Sequence, residues 1–86
     1  MKTKIKYLLE VIDSKREFIV DSREYSDLSN ACVELEDLTE CYKDEMRYNP
    51  LERYKILIFK VIMKKDKKTK KYINFDIDLI DYRYLY

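Results

Sequence analysis

The chain has no glycine, no histidine and no tryptophan, and one proline in 86 residues. Each absence excludes something. Without glycine, no residue enters positive φ free of steric cost, so the turns are expected to avoid that region and to use Asp, Asn or Lys. A Gly-rich phosphate cradle is excluded for the same reason. Without histidine, the commonest general base and the commonest metal ligand are both missing. A single proline beside 47% hydrophobic residues excludes a disordered linker and describes one small globular domain spanning residues 1–86. Neither charge sign prevails: 18 Lys and Arg stand against 17 Asp and Glu. That balance argues against a wholly basic nucleic-acid binder but leaves room for a local basic patch.

Long hydrophobic runs are also lacking. After the charged start, only Tyr7 to Leu9 precede Glu10, too short for a secretory segment or a membrane span. The two cysteines, Cys32 and Cys41, fall on a helical stretch at a spacing that points them to different sides and separates them beyond disulfide reach. Free thiols are therefore expected, in a reducing cytoplasm. Heavy use of Lys, Ile, Tyr and Asp, whose codons can be A/T-rich, suggests a bacterial or phage genome of that kind.

What is present is organised around residues 26–48. Leu28, Ala31, Cys32, Leu35, Leu38, Tyr42 and Met46 recur at the i, i+3, i+4, i+7 spacing of one helical stripe. Ser26 or Asp27 is suited to cap its start, and Asn49-Pro50 stops it. The flanking segments alternate as strands do. Residues 4–12 place Ile5, Tyr7, Leu9 and Val11 on one face, residues 13–16 form a turn, and 17–22 return, extending toward Tyr25. Residues 53–64 are apolar on both sides: Leu57, Phe59, Val61 and Met63 on the face assigned to the core, Ile56, Ile58, Lys60 and Ile62 on the other. After a lysine-rich loop, residues 72–82 place Ile73, Phe75, Ile77 and Leu79 inward and Asn74, Asp76 and Asp78 outward. The order is ββ-α-ββ. It predicts an α+β fold with one mostly antiparallel four-stranded sheet and a single long helix packed on one face.

Three surfaces are candidates for function. The sheet face away from the helix is expected to carry Leu8, Ile12, Ile19, Ile56, Ile58, Ile62 and Ile80. One helix covers one face, and an uncovered apolar face marks an interface, most simply a homodimer built on Ile56, Ile58 and Ile62. The carboxyl-terminal residues 82–86 are the alternative cover. The outer helix face offers Glu34, Asp37, Glu40 and Asp44, flanked by Glu36 and Glu45, with Val33, Cys41 and Tyr48 among them. This is an acidic face with apolar anchors, suited to a basic groove on a nucleic-acid enzyme. The third surface is the loop of Lys64, Lys65, Lys67, Lys68, Lys70 and Lys71 with Tyr72 beside it; lysines neutralise phosphates and tyrosines stack on bases.

Catalytic chemistry is not expected. Asp76 and Asp78 share a strand face, with Asp81 assigned to the opposite one, and two carboxylates can hold Mg²⁺, but no third ligand accompanies them. Cys41 lacks a histidine to activate it. No cofactor and no metal are expected. In size, charge segregation and lack of catalytic groups, the chain resembles the small accessory proteins of phages and mobile elements, anti-CRISPR proteins among them. That resemblance implies a stoichiometric inhibitor of a host defence or nucleic-acid enzyme. The expected function is thus a cytoplasmic, non-enzymatic protein-binding module acting on a larger host protein or nucleoprotein, with no membrane partner. RNA or DNA binding through the lysine loop 64–71 is the alternative.

Overall fold

Five elements follow one another in the computed structural model, which describes residues 2–85: β1 (Thr3–Asp13), β2 (Phe18–Tyr25), α1 (Leu28–Tyr48), β3 (Tyr54–Lys65) and β4 (Tyr72–Leu85). The fold is α+β. One sheet has the order β2-β1-β3-β4, every neighbouring pair is antiparallel, and α1 lies on one face. The helix carries the chain over β1, so β3 pairs with β1 on the side opposite β2. This placement makes β3 a central strand, which accounts for its apolar residues on both sides.

Local chemistry fixes the helix ends. Asp27 is extended (φ −124°) and its carboxylate accepts from the Ser29 N–H, capping the start. Arg47 lies in the last turn, where a cation complements the helix dipole. The Asn49 N–H bonds to the Glu45 carbonyl before Pro50 ends the element.

Both hairpins close with the same five-residue turn, headed by aspartate. In the first, the Glu17 N–H reaches the Asp13 carbonyl, and the Asp13 carboxylate accepts from the N–H groups of Lys15 and Arg16. In the second, the Lys70 N–H reaches the Asp66 carbonyl, and the Asp66 carboxylate accepts from the Lys68 N–H and the Thr69 hydroxyl. The fifth residue of each is left-handed, Glu17 at φ 59° and Lys70 at φ 58°. The expectation that a glycine-free chain avoids positive φ is therefore wrong. The aspartate bonds hold the turn tightly enough to impose that angle on residues with a Cβ. Left-handed backbone costs an ordinary residue about 1–2 kcal/mol, and glycine returns roughly half of that gain as unfolded-state entropy. Glu17→Gly and Lys70→Gly are each expected to stabilise the protein by about 0.5–1 kcal/mol, read from urea midpoints.

The first turn is also a structural joint. Asp13, only 2% exposed, accepts a 2.7 Å bond from Arg16, whose guanidinium also grips Glu52 in the loop after α1. The Arg16 backbone N–H, and then its side chain, hold the Asp13 carboxyl below its ordinary value of 3.8 against the opposing effect of burial. A depressed carboxylate contributes stability above its unfolded pKa and loses it as pH falls through the folded one. Wild type should thus lose stability below about pH 4, and Asp13→Asn should flatten that acid limb in thermal melts taken from about pH 5 to 2.

The core gathers at one end of the sheet. Leu9 and Val11 of β1, Tyr54, Ile56 and Ile58 of β3, and Leu85 of β4 pack against Ala31, Leu35 and Leu38, with Tyr7, Tyr25, Tyr42 and Met46 around them. Cross-strand partners share a face, and Leu9–Ile58 and Val11–Ile56 are such pairs. The face assignment of β3 is therefore the reverse of the one expected: Ile56 and Ile58 lie under the helix and are fully buried. Ile62 shares their side, opposite Ile5, but lies outside the helix-packed cluster. Leu57, Phe59, Val61 and Met63 take the uncovered face. Lys60, which made the even-numbered side look solvent-facing, is across from Tyr7 and also outside that cluster.

On β4 the same face reversal is compounded by two bulges. Its register against β3 slips twice, between Ile58 and Phe59 and between Ile62 and Met63. Asp76 and Asp78 face Ile62 and Lys60 on the helix side, and the slip between Ile58 and Phe59 brings Asp81, opposite Ile58, to that side as well. Ile77 and Leu79 pair with Val61 and Phe59 on the uncovered face instead of entering the core, and Ile73 and Phe75 are exposed. Residues 82–85 continue β4 rather than folding over the sheet, and Tyr86 is outside the described residues.

Candidate interaction surfaces

The uncovered sheet face is built in cross-strand rows. Leu8, Phe59 and Leu79 form one; Glu10, Leu57 and Tyr82 the next; Lys6, Val61 and Ile77 lie on the other side. On β2, Ile19 pairs with Ile12 to extend the apolar surface at one corner. Val61 and Leu57 are buried, while Phe59, Leu8 and Met63 are half-buried and Ile77, Leu79 and Tyr82 are about half exposed. A monomer covering only one side of its sheet should be extended. The radius of gyration, 15.2 Å, exceeds the roughly 12 Å of a compact domain of this length. The surface expected on this face is thus present, but with different residues. Leu8, Ile12 and Ile19 are on it; Ile56 and Ile58 are not, because the helix covers them.

On α1, Val33 and Tyr48 are 61% and 85% exposed and stand in line with Asp37, Glu40 and Asp44. The acids around them are less available than their number suggests. Glu34 pairs with Arg23 of β2 and Glu36 with Arg83 of β4, tying the helix to both edges of the sheet. The Glu36 contact, with Asp81 adding to it, raises the Arg83 pKa. Glu40 pairs with Lys43 and Asp44 with Arg47. Exposed pairs of this kind stabilise little, but they cancel the acidic field that a basic groove would recognise. Cys41 is exposed and Cys32 half-buried, both free.

The β3–β4 tip is the third surface. It lies at the end of the sheet away from the helix-packed core, in a molecule whose longest extent is 50 Å. The Lys65 N–H bonds to the Lys2 carbonyl, which brings the start of the chain to the same end. Lys4 stands over the Tyr72 ring at 4.6 Å and Lys64 over the Phe75 ring at 3.4 Å, holding the rings beside the ribbon. The sequence placed Lys64 to Lys71 and Tyr72 together. It did not reveal Lys2, Lys4 or Phe75, which depend on the β1–β3 pairing and on a bulge.

No group of three or more His, Cys, Asp or Glu side chains among the described residues is placed to hold a metal ion. Among the same residues, no helix is long and apolar enough to cross a membrane. No family model, curated protein or solved structure matches the chain. The functional reading rests on these surfaces.

Proposed function

We propose that this protein is a non-enzymatic binding module that acts stoichiometrically by seating its uncovered sheet face on a larger protein partner, and that in isolation a second copy covers the same face. The row of Leu8, Phe59 and Leu79, apolar across three strands with no layer above it, carries this reading. Aromatic residues at the centre of such a face are the usual anchors of binding energy, with a charged rim around them. Here Lys6, Glu24, Glu10 and Lys55 supply the rim. A closed two-fold pair is the simplest self-cover, and a partner would displace it. The resemblance to phage-encoded inhibitors suggests the class of partner: a host defence or nucleic-acid enzyme, blocked by occupancy.

Affinity capture from bacterial lysate tests the reading. Wild type should retain one protein at near-equal molar amount. Phe59→Glu should lose it, whereas a variant with Asp37, Glu40 and Asp44 replaced by Ala should keep it. The reverse pattern would move the site to the outer helix face and overturn the proposal.

A further inference from the structure

We infer that the β3–β4 tip is a nucleic-acid backbone clamp, a site separate from the sheet face and independent of what covers it. Lys6, Arg16, Arg23, Lys43, Arg47 and Arg83 all form ion pairs within the molecule. Among the described residues, none of the six lysines between positions 64 and 71 forms an ion pair, nor does Lys2. The one acid in the loop, Asp66, is occupied by the Lys68 N–H and the Thr69 hydroxyl, which hold its carboxyl below the ordinary value. Lys60, and Lys15, Arg53 and Lys55 at the far end of the sheet, also form no ion pair among the described residues, but the larger group, Lys2, Lys4 and the six loop lysines, stands at this projecting end.

The chemistry of the tip narrows the ligand. The backbone N–H groups of Lys68, Lys70 and Lys71 are already bonded within the loop, so no amide nest is left to cradle a single phosphate. Lys2, Lys65, Lys67 and Lys70 line an open concavity of about 290 Å³ together with Asp66, whose carboxylate is engaged by the Lys68 N–H and the Thr69 hydroxyl. Ammonium groups on long stems act as point charges along a string of phosphates. Residues 65–71 contain no apolar side chain that would enter a lipid layer, which favours nucleic acid over an anionic membrane. Tyr72, across from Lys65, and Phe75, beneath Lys64, supply rings on the ribbon itself. β1 flanks β3 up to the Lys2–Lys65 bond, so only the loop of residues 66–71 projects past the sheet, and its lysines reach the phosphates of a duplex, whose charge density exceeds that of a single strand.

Fluorescence anisotropy with a labelled 20-base-pair DNA duplex, its single strand and phosphatidylserine vesicles tests this. Wild type should bind the duplex at low salt, and log K should fall linearly with log salt. Replacing Lys67, Lys68, Lys70 and Lys71 by Gln should leave the thermal melt unchanged and flatten the slope by about 0.9 per lysine engaged, up to about 3.6. Phe59→Glu, which disables the sheet face, should bind DNA as wild type does, so failure of the protein-binding reading leaves this result intact. Binding to the single strand as tight as to the duplex would overturn the assignment to a duplex. Equal affinity for the vesicles, no binding at about 50 mM salt, or a slope unchanged in the lysine variant would overturn the clamp.

Discussion

Ile58→Glu is expected to unfold this protein. Ile58 is fully buried between Leu9 on β1 and the Asp81 position on β4, within the cluster that receives Leu35 and Leu38. Removing the aliphatic side chain alone costs about 2–5 kcal/mol. A carboxylate placed there gains no described partner, faces Asp81 across the strands, and carries a desolvation cost of several kcal/mol more. A domain of this length has about 4–13 kcal/mol in total. The variant should lose its cooperative melt and its near-ultraviolet circular dichroism, whereas Ile58→Val should cost about 0.5–1.5 kcal/mol and remain folded. A cooperative melt for Ile58→Glu would place that side chain on the uncovered face after all.

One residue further along, the outcome should reverse. Phe59 is half-buried at the centre of the uncovered face, flanked by Leu8 and Leu79. Glu at this position meets water in the isolated chain, so the fold should survive. In an assembly that covers the face, the same carboxylate is trapped without a partner, and truncating a central aromatic anchor by itself costs roughly 2–4 kcal/mol of binding. Association should weaken by at least about 30-fold, with a melting temperature close to that of the wild-type monomer. Two neighbouring substitutions, identical in chemistry, therefore separate core from interface.

The element order was legible because each element declares itself locally. Seven apolar residues at helical spacing, an aspartate cap and Asn49-Pro50 define α1; alternation and a hydrophobe-free lysine loop define the strands around it. The faces were harder to read. A central strand that is apolar on both sides carries no internal mark of which side the helix takes, and Lys60 pointed the wrong way because it lies beyond the helix-packed cluster. The slip that moves Asp81 did leave a trace. The aspartates of β4 fall at 76, 78 and 81, a step of two and then of three, and the extra residue is the bulge. A strict period of two misreads every position past such a slip. Likewise, the acids of α1 looked like a recognition face because Arg23 and Arg83, which neutralise Glu34 and Glu36, are distant in sequence. The gathering of Lys2 and Lys4 at the lysine tip is another product of pairing between distant strands, which a single sequence does not state.

Light scattering coupled to gel filtration, across a hundredfold range of protein concentration, tests the central claim that the uncovered sheet face is an interface. Wild type should reach twice the 10.6 kDa chain mass as concentration rises, and Phe59→Glu should remain a folded monomer throughout. A wild type that stays monomeric at every concentration, or a dimer that persists unchanged in Phe59→Glu, would contradict it.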